Sequence, residues 1–180
     1  LGSWYRRTLK ELDGMDESLI TNEDYELNCR LRKRGGRILF DPALQSTYYP
    51  RTSPAQLWRQ YVRYGLGKVQ VLRLHPDTLV LRQLIPPLFV LGLLVTAALI
   101  PLTVWPFVAY AGLYLLALLA GSVLAARRAP LRDVILLPLV YLIIHLAWGL
   151  GVWWGIARFG TFPLHLRGML ASERLLRRGE

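Results

Sequence analysis

The sequence predicts an α/β soluble part followed by an all-α membrane region of two to three helices. The membrane prediction comes from two runs, 83–126 and 134–157, that contain no Asp, Glu, Lys or Arg. A helix that crosses a bilayer needs about 20 apolar residues, so the first run fits two helices and the second fits one. Residues 1–82 are polar, mix helical with strand-like patterns, and carry nine of the twelve acidic residues.

The same pattern divides the chain into three regions. They are a soluble part with an interfacial helix at 1–82, a transmembrane region at 83–157 with helices at about 84–104, 107–126 and 134–155, and a basic tail at 158–180. The turn between the first two helices has no Lys or Arg while both outer ends do, which places the soluble part in the cytoplasm. If the third helix also spans, the tail with its five arginines lies outside, against this bias. The alternative, that one apolar run is re-entrant or interfacial, stays open.

The net charge of +10 is compatible with a nucleic-acid partner or with a membrane surface. The basic residues mostly flank the apolar runs, as Arg73, Arg82, Arg127, Arg128 and Arg132 do. Such positions favour contact with anionic lipid headgroups, so membrane lipid is the expected partner and nucleic acid is not. Cys29 is the only cysteine, which excludes a disulfide within the chain.

Besides a weak helical spacing at 3–12 that ends at Asp13-Gly14, two helices and two strands are predicted in the soluble part. The first helix begins after Asn22 as N-cap and ends before Gly35, with acidic residues in its first turn and basic residues in its last. The second begins at Ser53-Pro54, and Gly65 and Gly67 are expected to loosen or end it. The segments 37–40 and 44–49 are predicted as the strands, the first being stopped by Asp41-Pro42.

Asp24 is the candidate catalytic base. A carboxylate in the first turn of a helix stays ionised near pH 7 because N-terminal amides and the helix dipole stabilise its charge. It can then accept a proton from an attacking hydroxyl group. The alternative is that Glu23 and Asp24 only complement the helix dipole.

Gln60, Arg63 and Tyr64 share one face of the second helix, at positions i, i+3 and i+4. Arg63 can hold a pyrophosphate through paired donors, Tyr64 can stack on a sugar, and Gln60 can bind a hydroxyl group. We expect this face to share one cleft with Asp24 beside the membrane. The alternative is an interfacial helix whose arginines meet lipid headgroups.

Two other polar features carry less information. His145 lies inside the third apolar run, where an ionisable residue suggests function, although a neutral histidine bonded within a helix bundle is the simpler interpretation. Asp13, Asp16 and Glu17 have no spacing specific for a metal, so no metal site is assigned to this chain.

Three stretches together carry a family resemblance. They are Trp4-Tyr5-Arg6-Arg7 through Gly14-Met15-Asp16-Glu17, then Asn22-Glu23-Asp24-Tyr25-Glu26-Leu27 with Arg30-Leu31-Arg32, then Tyr49-Pro50-Arg51 with Gln60-Tyr61-Val62-Arg63-Tyr64-Gly65. In order and spacing they resemble a family 2 glycosyltransferase of the membrane-anchored type that builds bacterial exopolysaccharide, similar to succinoglycan enzymes. The resemblance covers roughly residues 1–68, and it implies the C-terminal part of a GT-A-like nucleotide-sugar transferase domain.

The resemblance implies roles for the candidate residues. Asp24 matches the base that deprotonates the acceptor hydroxyl, for displacement at the sugar carbon with inversion. Gln60, Arg63 and Tyr64 match the glutamine-x-x-arginine-tryptophan motif that holds donor pyrophosphate and acceptor, with tyrosine in place of tryptophan. Glu23 is grouped with these substrate-binding residues. Because of the tyrosine, transfer of single sugars is expected rather than processive synthesis.

The nucleotide-sugar site and a divalent metal site, for Mg²⁺ or Mn²⁺, lie in the N-terminal half of such enzymes. The chain begins at Leu1, within an element, so it is expected to be part of a longer protein and inactive alone. The predicted function is sugar transfer from a nucleotide sugar to a lipid-linked or polysaccharide acceptor at the inner face of the plasma membrane. The main alternative is a non-enzymatic membrane anchor or assembly subunit whose basic segment binds lipid or a partner.

Overall fold

The computed structural model describes residues 2–47, 49, 51–126 and 131–160, and all regular secondary structure in these residues is helical. The helices are α1 (Arg6–Glu11), α2 (Glu23–Lys33), α3 (Pro54–Leu74), α4 (Ile85–Ala98), α5 (Trp105–Ala126) and α6 (Leu131–Phe159). Two short 3-10 turns, Pro76–Thr78 and Leu81–Gln83, connect α3 to α4.

The predicted α/β fold is wrong, because the described residues contain no strand. Both expected strands, 37–40 and 44–49, are irregular wherever the chain is described. Leu39 and Phe40 are 90% and 86% exposed, so the apolar run that suggested a strand does not pack on a core. A strand is stable only when its backbone pairs with a neighbour and one of its faces is buried. Residues 37–40 have no such neighbour among the described residues.

The boundaries and polarity of α2 agree with the prediction. Acidic side chains occupy its first turn and basic ones its last, as the helix dipole favours. The proposed capping by Asn22 is wrong in detail. Asn22 stands at the N-cap position with a left-handed φ of 68°, and its side-chain amide donates to Thr21 Oγ1 at 3.3 Å instead of capping the helix.

Helix α3 begins as predicted, since Ser53 Oγ accepts a hydrogen bond from the Gln56 amide at 3.3 Å. It does not end at its glycines but continues to Leu74. A β-carbon at Gly65 would meet the carbonyl oxygen of Trp148 in α6, and one at Gly151 would meet the carbonyl oxygen of Val62. Glycine therefore serves here to let α3 and α6 pack backbone against backbone, which a larger residue prevents.

Three helices are long and apolar enough to cross a membrane, at Leu81–Ala98, Trp105–Ala125 and Val134–Phe159. They correspond to the three apolar segments expected from the sequence. Their outward surface is apolar, with Leu113 and Leu116 being 70% and 65% exposed, as expected of side chains that face lipid.

Aromatic residues join the three membrane helices near their middle. The ring of Phe89 in α4 stacks on Tyr114 of α5 at 3.7 Å between centroids. Tyr114 Oη in turn lies 2.7 Å from Nδ1 of His145 in α6. A histidine bonded within the bundle is the simpler of the two interpretations raised for His145. The arginines at 127 and 128 and most of the predicted basic tail lie outside the described residues.

Candidate functional site

The two predicted motifs meet where the segment before α2 lies along α3. Thr21 Oγ1 donates to the carbonyl oxygen of Arg63 at 3.2 Å. Gln70 accepts from the Ile20 amide at 3.1 Å and donates to the Ser18 carbonyl at 3.3 Å. A β-carbon at Gly67 would meet Thr21, so α3 has no side chain where this segment crosses it. The acidic start of α2 is thereby held beside the middle of α3, and we call this contact the α2–α3 junction.

Asp24 and Glu23 lie in the first turn of α2, and both are exposed. Asp24 Oδ1 accepts a hydrogen bond from the Tyr25 amide at 2.7 Å. This bond uses one carboxylate oxygen. The other oxygen and the exposed side chain of Asp24 are accessible to solvent.

The structure brings Gln60 and Tyr64 together, and it leaves the Arg63 side chain exposed beside them. Gln60 Nε2 donates to Tyr64 Oη at 2.8 Å, and Gln60 Oε1 accepts from Arg51 Nε at 3.2 Å. Tyr61 also contacts Tyr64, edge to face, at 5.8 Å between ring centroids. Gln60 and Tyr64 therefore lie together on α3 as predicted. The role of the Arg63 side chain on that face, and a cleft that it shares with the Asp24 carboxylate, stay predictions.

A cleft of about 440 Å³ lies on the other face of α2 and contains none of the predicted site residues. Its walls are Asp13, Asp16, Glu26, Arg30, Leu74 and His75. Residues 24 and 26 are about 200° apart around a helix, which explains why Asp24 faces outward while Glu26 is 3% exposed.

Five side chains, three of which line this cleft, form a continuous polar chain, which we call the Glu26 network. In spatial order its members are Arg30, Glu26, His75, Lys33 and Asp77. Arg30 binds Glu26 through Nε and Nη2, and it also donates to the carbonyl oxygens of Leu12 and Gly14. The network thus ties α2 both to the turn after α1 and to the segment that leads into the membrane.

Charge pairing keeps the buried carboxylate of this network ionised. Burial acts to raise the pKa of Glu26, but hydrogen bonds from Arg30 and His75 outweigh it and hold the pKa below its usual value. The same balance holds for Asp77, where burial is outweighed by the hydrogen bond from Lys33 and the pKa is again lowered. Removal of either partner from such a buried, hydrogen-bonded pair is expected to destabilise the fold, because the other charge is left buried without compensation.

The sequence interpretation missed the Glu26 network. The i, i+4 spacing of Glu26 and Arg30 is a signal for pairing on a helix, but it does not distinguish a buried pair from a solvated one. His75 offered no signal, because its partner Glu26 is 49 residues away along the chain.

Lys68 is a second buried charge at the α2–α3 junction. It is 5% exposed, and its ammonium lies 4.3 Å from the centre of the Tyr25 ring. Removal from water lowers the pKa of Lys68 to about 8. The aromatic ring compensates only part of the lost hydration.

A divalent metal would need a cluster of ligating side chains. The described residues contain no group of three or more His, Cys, Asp or Glu side chains that could hold a metal ion. Among the acids of the cleft, the Asp16 carboxylate is bound by the Ser18 hydroxyl at 2.6 Å and Glu26 by Arg30 and His75. These carboxylates are therefore already engaged by other side chains.

Comparison with curated proteins relates the chain to glycosyltransferases and to proteins of polysaccharide synthesis. It is 34% identical over 146 residues to the succinoglycan biosynthesis protein ExoA of Rhizobium meliloti (strain 1021), covering 80% of this chain and 43% of that protein. It is 32% identical over 73 residues, 40% of this chain and 23% of the relative, to the dolichyl N-acetyl-alpha-D-glucosaminyl phosphate 3-beta-D-2,3-diacetamido-2,3-dideoxy-beta-D-glucuronosyltransferase of Methanococcus voltae.

The resemblance to an exopolysaccharide glycosyltransferase is confirmed by these relatives. The chain spans less than half the length of either one. No protein-family profile matches it. No solved structure matches it either.

Proposed function

We propose that this chain is part of an inverting family 2 glycosyltransferase at the cytoplasmic face of the inner membrane. It would act on a nucleotide sugar as donor and on a lipid-linked saccharide or a polysaccharide as acceptor. The observation that carries the proposal is the α2–α3 junction, where Thr21 binds the backbone of Arg63 beside the membrane helices. The relatives named for succinoglycan synthesis and for glucuronosyl transfer support it.

In this proposal Asp24 is the general base. Its carboxylate takes the proton of the acceptor hydroxyl while the hydroxyl oxygen forms a bond to the anomeric carbon. The bond from that carbon to the phosphate oxygen breaks on the opposite side, and the nucleoside diphosphate leaves with the electron pair. A single displacement of this kind inverts the configuration of the sugar carbon.

Glu23, Gln60, Arg63 and Tyr64 are proposed to bind the substrates. The exposed guanidinium of Arg63 suits a pyrophosphate, because its donors form a planar fork. Gln60 and Tyr64 are already hydrogen-bonded to each other, so they present one pre-arranged polar and aromatic surface to a sugar. The nucleotide and a divalent metal, Mg²⁺ or Mn²⁺, are expected to bind outside this chain, which we expect to be inactive alone.

The proposal is tested with Asp24→Asn in the full-length protein, using radiolabelled nucleotide sugars and a membrane lipid extract as acceptor. Loss of the base should lower the rate of label transfer into lipid by about 100-fold or more, with donor binding retained. Asp41→Asn is the matched control, because Asp41 is exposed and its carboxylate binds only the nearby Ala43 amide among the described contacts. A near-normal rate for Asp24→Asn would remove Asp24 from the base role.

A wild-type protein that transfers no sugar from any donor would contradict the proposal as a whole. The non-enzymatic membrane anchor would then be the better interpretation.

A further inference from the structure

A hydrogen-bonded line joins α2 to the segment that leads into the membrane. Lys33 Nζ lies 2.9 Å from His75 Nδ1, and His75 Nε2 lies 2.9 Å from Glu26 Oε1. An ammonium group has only donors, so Nδ1 must be the acceptor. The single proton of the neutral ring therefore lies on Nε2 and is donated to Glu26, and one tautomer satisfies both partners.

We infer that His75 is a positioning residue, which in its neutral, Nε2-protonated form holds α2, and with it Asp24, against the segment entering the membrane. The catalytic part of this inference rests on the proposed function. The coupling between α2 and residues 75–78 rests on the geometry alone.

The position of His75 suits this role. It is the C-cap of α3 and is 8% exposed, and the 3-10 turn Pro76–Thr78 follows it directly. Through Glu26 and Lys33 it contacts α2 at two points about two turns apart, which restrains both the position and the tilt of that helix. A displacement of about 1 Å at a reacting group can cost about 100-fold in rate, so a small movement of α2 is enough to impair the base.

The charged groups around His75 explain why its neutral form is required. Glu26 and Lys33 face it from α2, and Asp77 pairs with Lys33 at 2.8 Å from the turn beyond it. Asp13, Asp16 and Arg30 line the same cleft. A proton on Nδ1 would place an N–H group against the Lys33 ammonium, so the observed contact requires Nδ1 to be the acceptor.

The test compares three variants with the wild type, in the full-length protein reconstituted in lipid nanodiscs. His75→Gln keeps a donor for Glu26 and an acceptor for Lys33, whereas His75→Leu removes both. His145→Gln is the control for histidine loss away from α2, since His145 contacts Tyr114 between membrane helices. The measurements are hydrogen exchange of the Glu23–Lys33 amides, the ¹⁵N spectrum of labelled histidines, and kcat and KM for label transfer into lipid.

In His75→Leu the α2 amides should exchange about tenfold faster or more. The kcat should fall about 100-fold while KM stays within about threefold. His75→Gln should restore most of the amide protection and of the rate, and His145→Gln should leave exchange in α2 unchanged. The histidine resonance that is lost in His75→Gln should be that of a neutral ring protonated on Nε2.

Unchanged α2 exchange in His75→Leu, or a ring protonated on Nδ1, would overturn the inference. So would full kcat in His75→Leu in a protein whose transfer depends on Asp24, and the proposed function would then survive alone. If exchange responds as expected but no variant or wild type transfers sugar, the coupling stands and the proposed function fails.

Discussion

Contacts between helices α4, α5 and α6 are mainly apolar and aromatic, whereas α2 is attached to the rest of the chain through charged groups. Phe89, Tyr114 and His145 join the membrane helices with one hydrogen bond among them. Around α2, the single carboxylate of Glu26 accepts hydrogen bonds from both Arg30 and His75. The difference follows from the surroundings. Between membrane helices, where lipid chains are as apolar as the side chains, close packing and a few hydrogen bonds hold the helices together. In water an exposed ion pair contributes little, so the charged contacts that matter around α2 are the buried ones.

The strongest test of this contrast compares two Arg–Glu pairs with the same i, i+4 spacing. Glu26→Ala removes the buried carboxylate that Arg30 and His75 share as an acceptor, which should lower the free energy of unfolding by about 3–5 kcal/mol. Glu11→Ala breaks the exposed pair with Arg7 and should produce no measurable change. Denaturant unfolding in detergent, followed by circular dichroism, measures both, and equal losses would contradict the distinction.

Replacement of Lys68 is expected to change the free energy of unfolding somewhat less than Glu26→Ala does, and to raise it rather than lower it. The difference between the ordinary lysine pKa of 10.5 and about 8 in the folded chain corresponds to roughly 3 kcal/mol of cost for keeping this buried group charged. Lys68→Met should therefore stabilise the protein at pH 7. The gain in unfolding free energy should be somewhat smaller than this cost, because the contact between the ammonium and the Tyr25 ring is lost.

The pH dependence of that difference supplies the check. Between pH 8 and 10.5 the folded wild type releases the Lys68 proton while the unfolded chain keeps it, so wild-type stability rises with pH relative to Lys68→Met. The difference in unfolding free energy between the two proteins should therefore be smaller at pH 10 than at pH 7. Lys10→Met, at an exposed lysine, is the control and should show no such decrease.

The smallest of these effects concerns the close approach of α3 and α6. Gly65→Ala should cost about 1–3 kcal/mol, because the added methyl group meets the carbonyl oxygen of Trp148. Gly112→Ala places the same methyl group in open space on α5 and should be neutral or slightly stabilising. Thermal unfolding in one detergent compares the two, and an equal response would mean that α3 does not pack tightly on α6.

The membrane helices were predictable because their signal is local. A run of about 20 uncharged residues indicates a spanning helix whatever its neighbours are, and each of the three predicted segments is helical. The start of α3 was predictable for the same reason, since Ser53 caps the helix that follows it. The end of α3 was not predictable, because Gly65 is explained by its close contact with the backbone of α6, which the local sequence does not show.

The two predicted strands failed for a related reason. An apolar stretch such as 37–40 becomes a strand only if another strand lies alongside it, and the sequence of the stretch contains no information about that neighbour. In the structure Leu39 and Phe40 are exposed instead, and the only regular secondary structure in the described residues is helical.

By itself the sequence determined the three apolar helices, the polarity of α2 and the common face of Gln60 and Tyr64, since each depends on residues at most a helix length apart. Only the tertiary structure decided which charges are buried. Glu26 and His75 lie 49 positions apart in the chain and 2.9 Å apart in space. Contacts of this kind arise when helices pack, and the free energy of a buried charge depends on the partners that packing supplies.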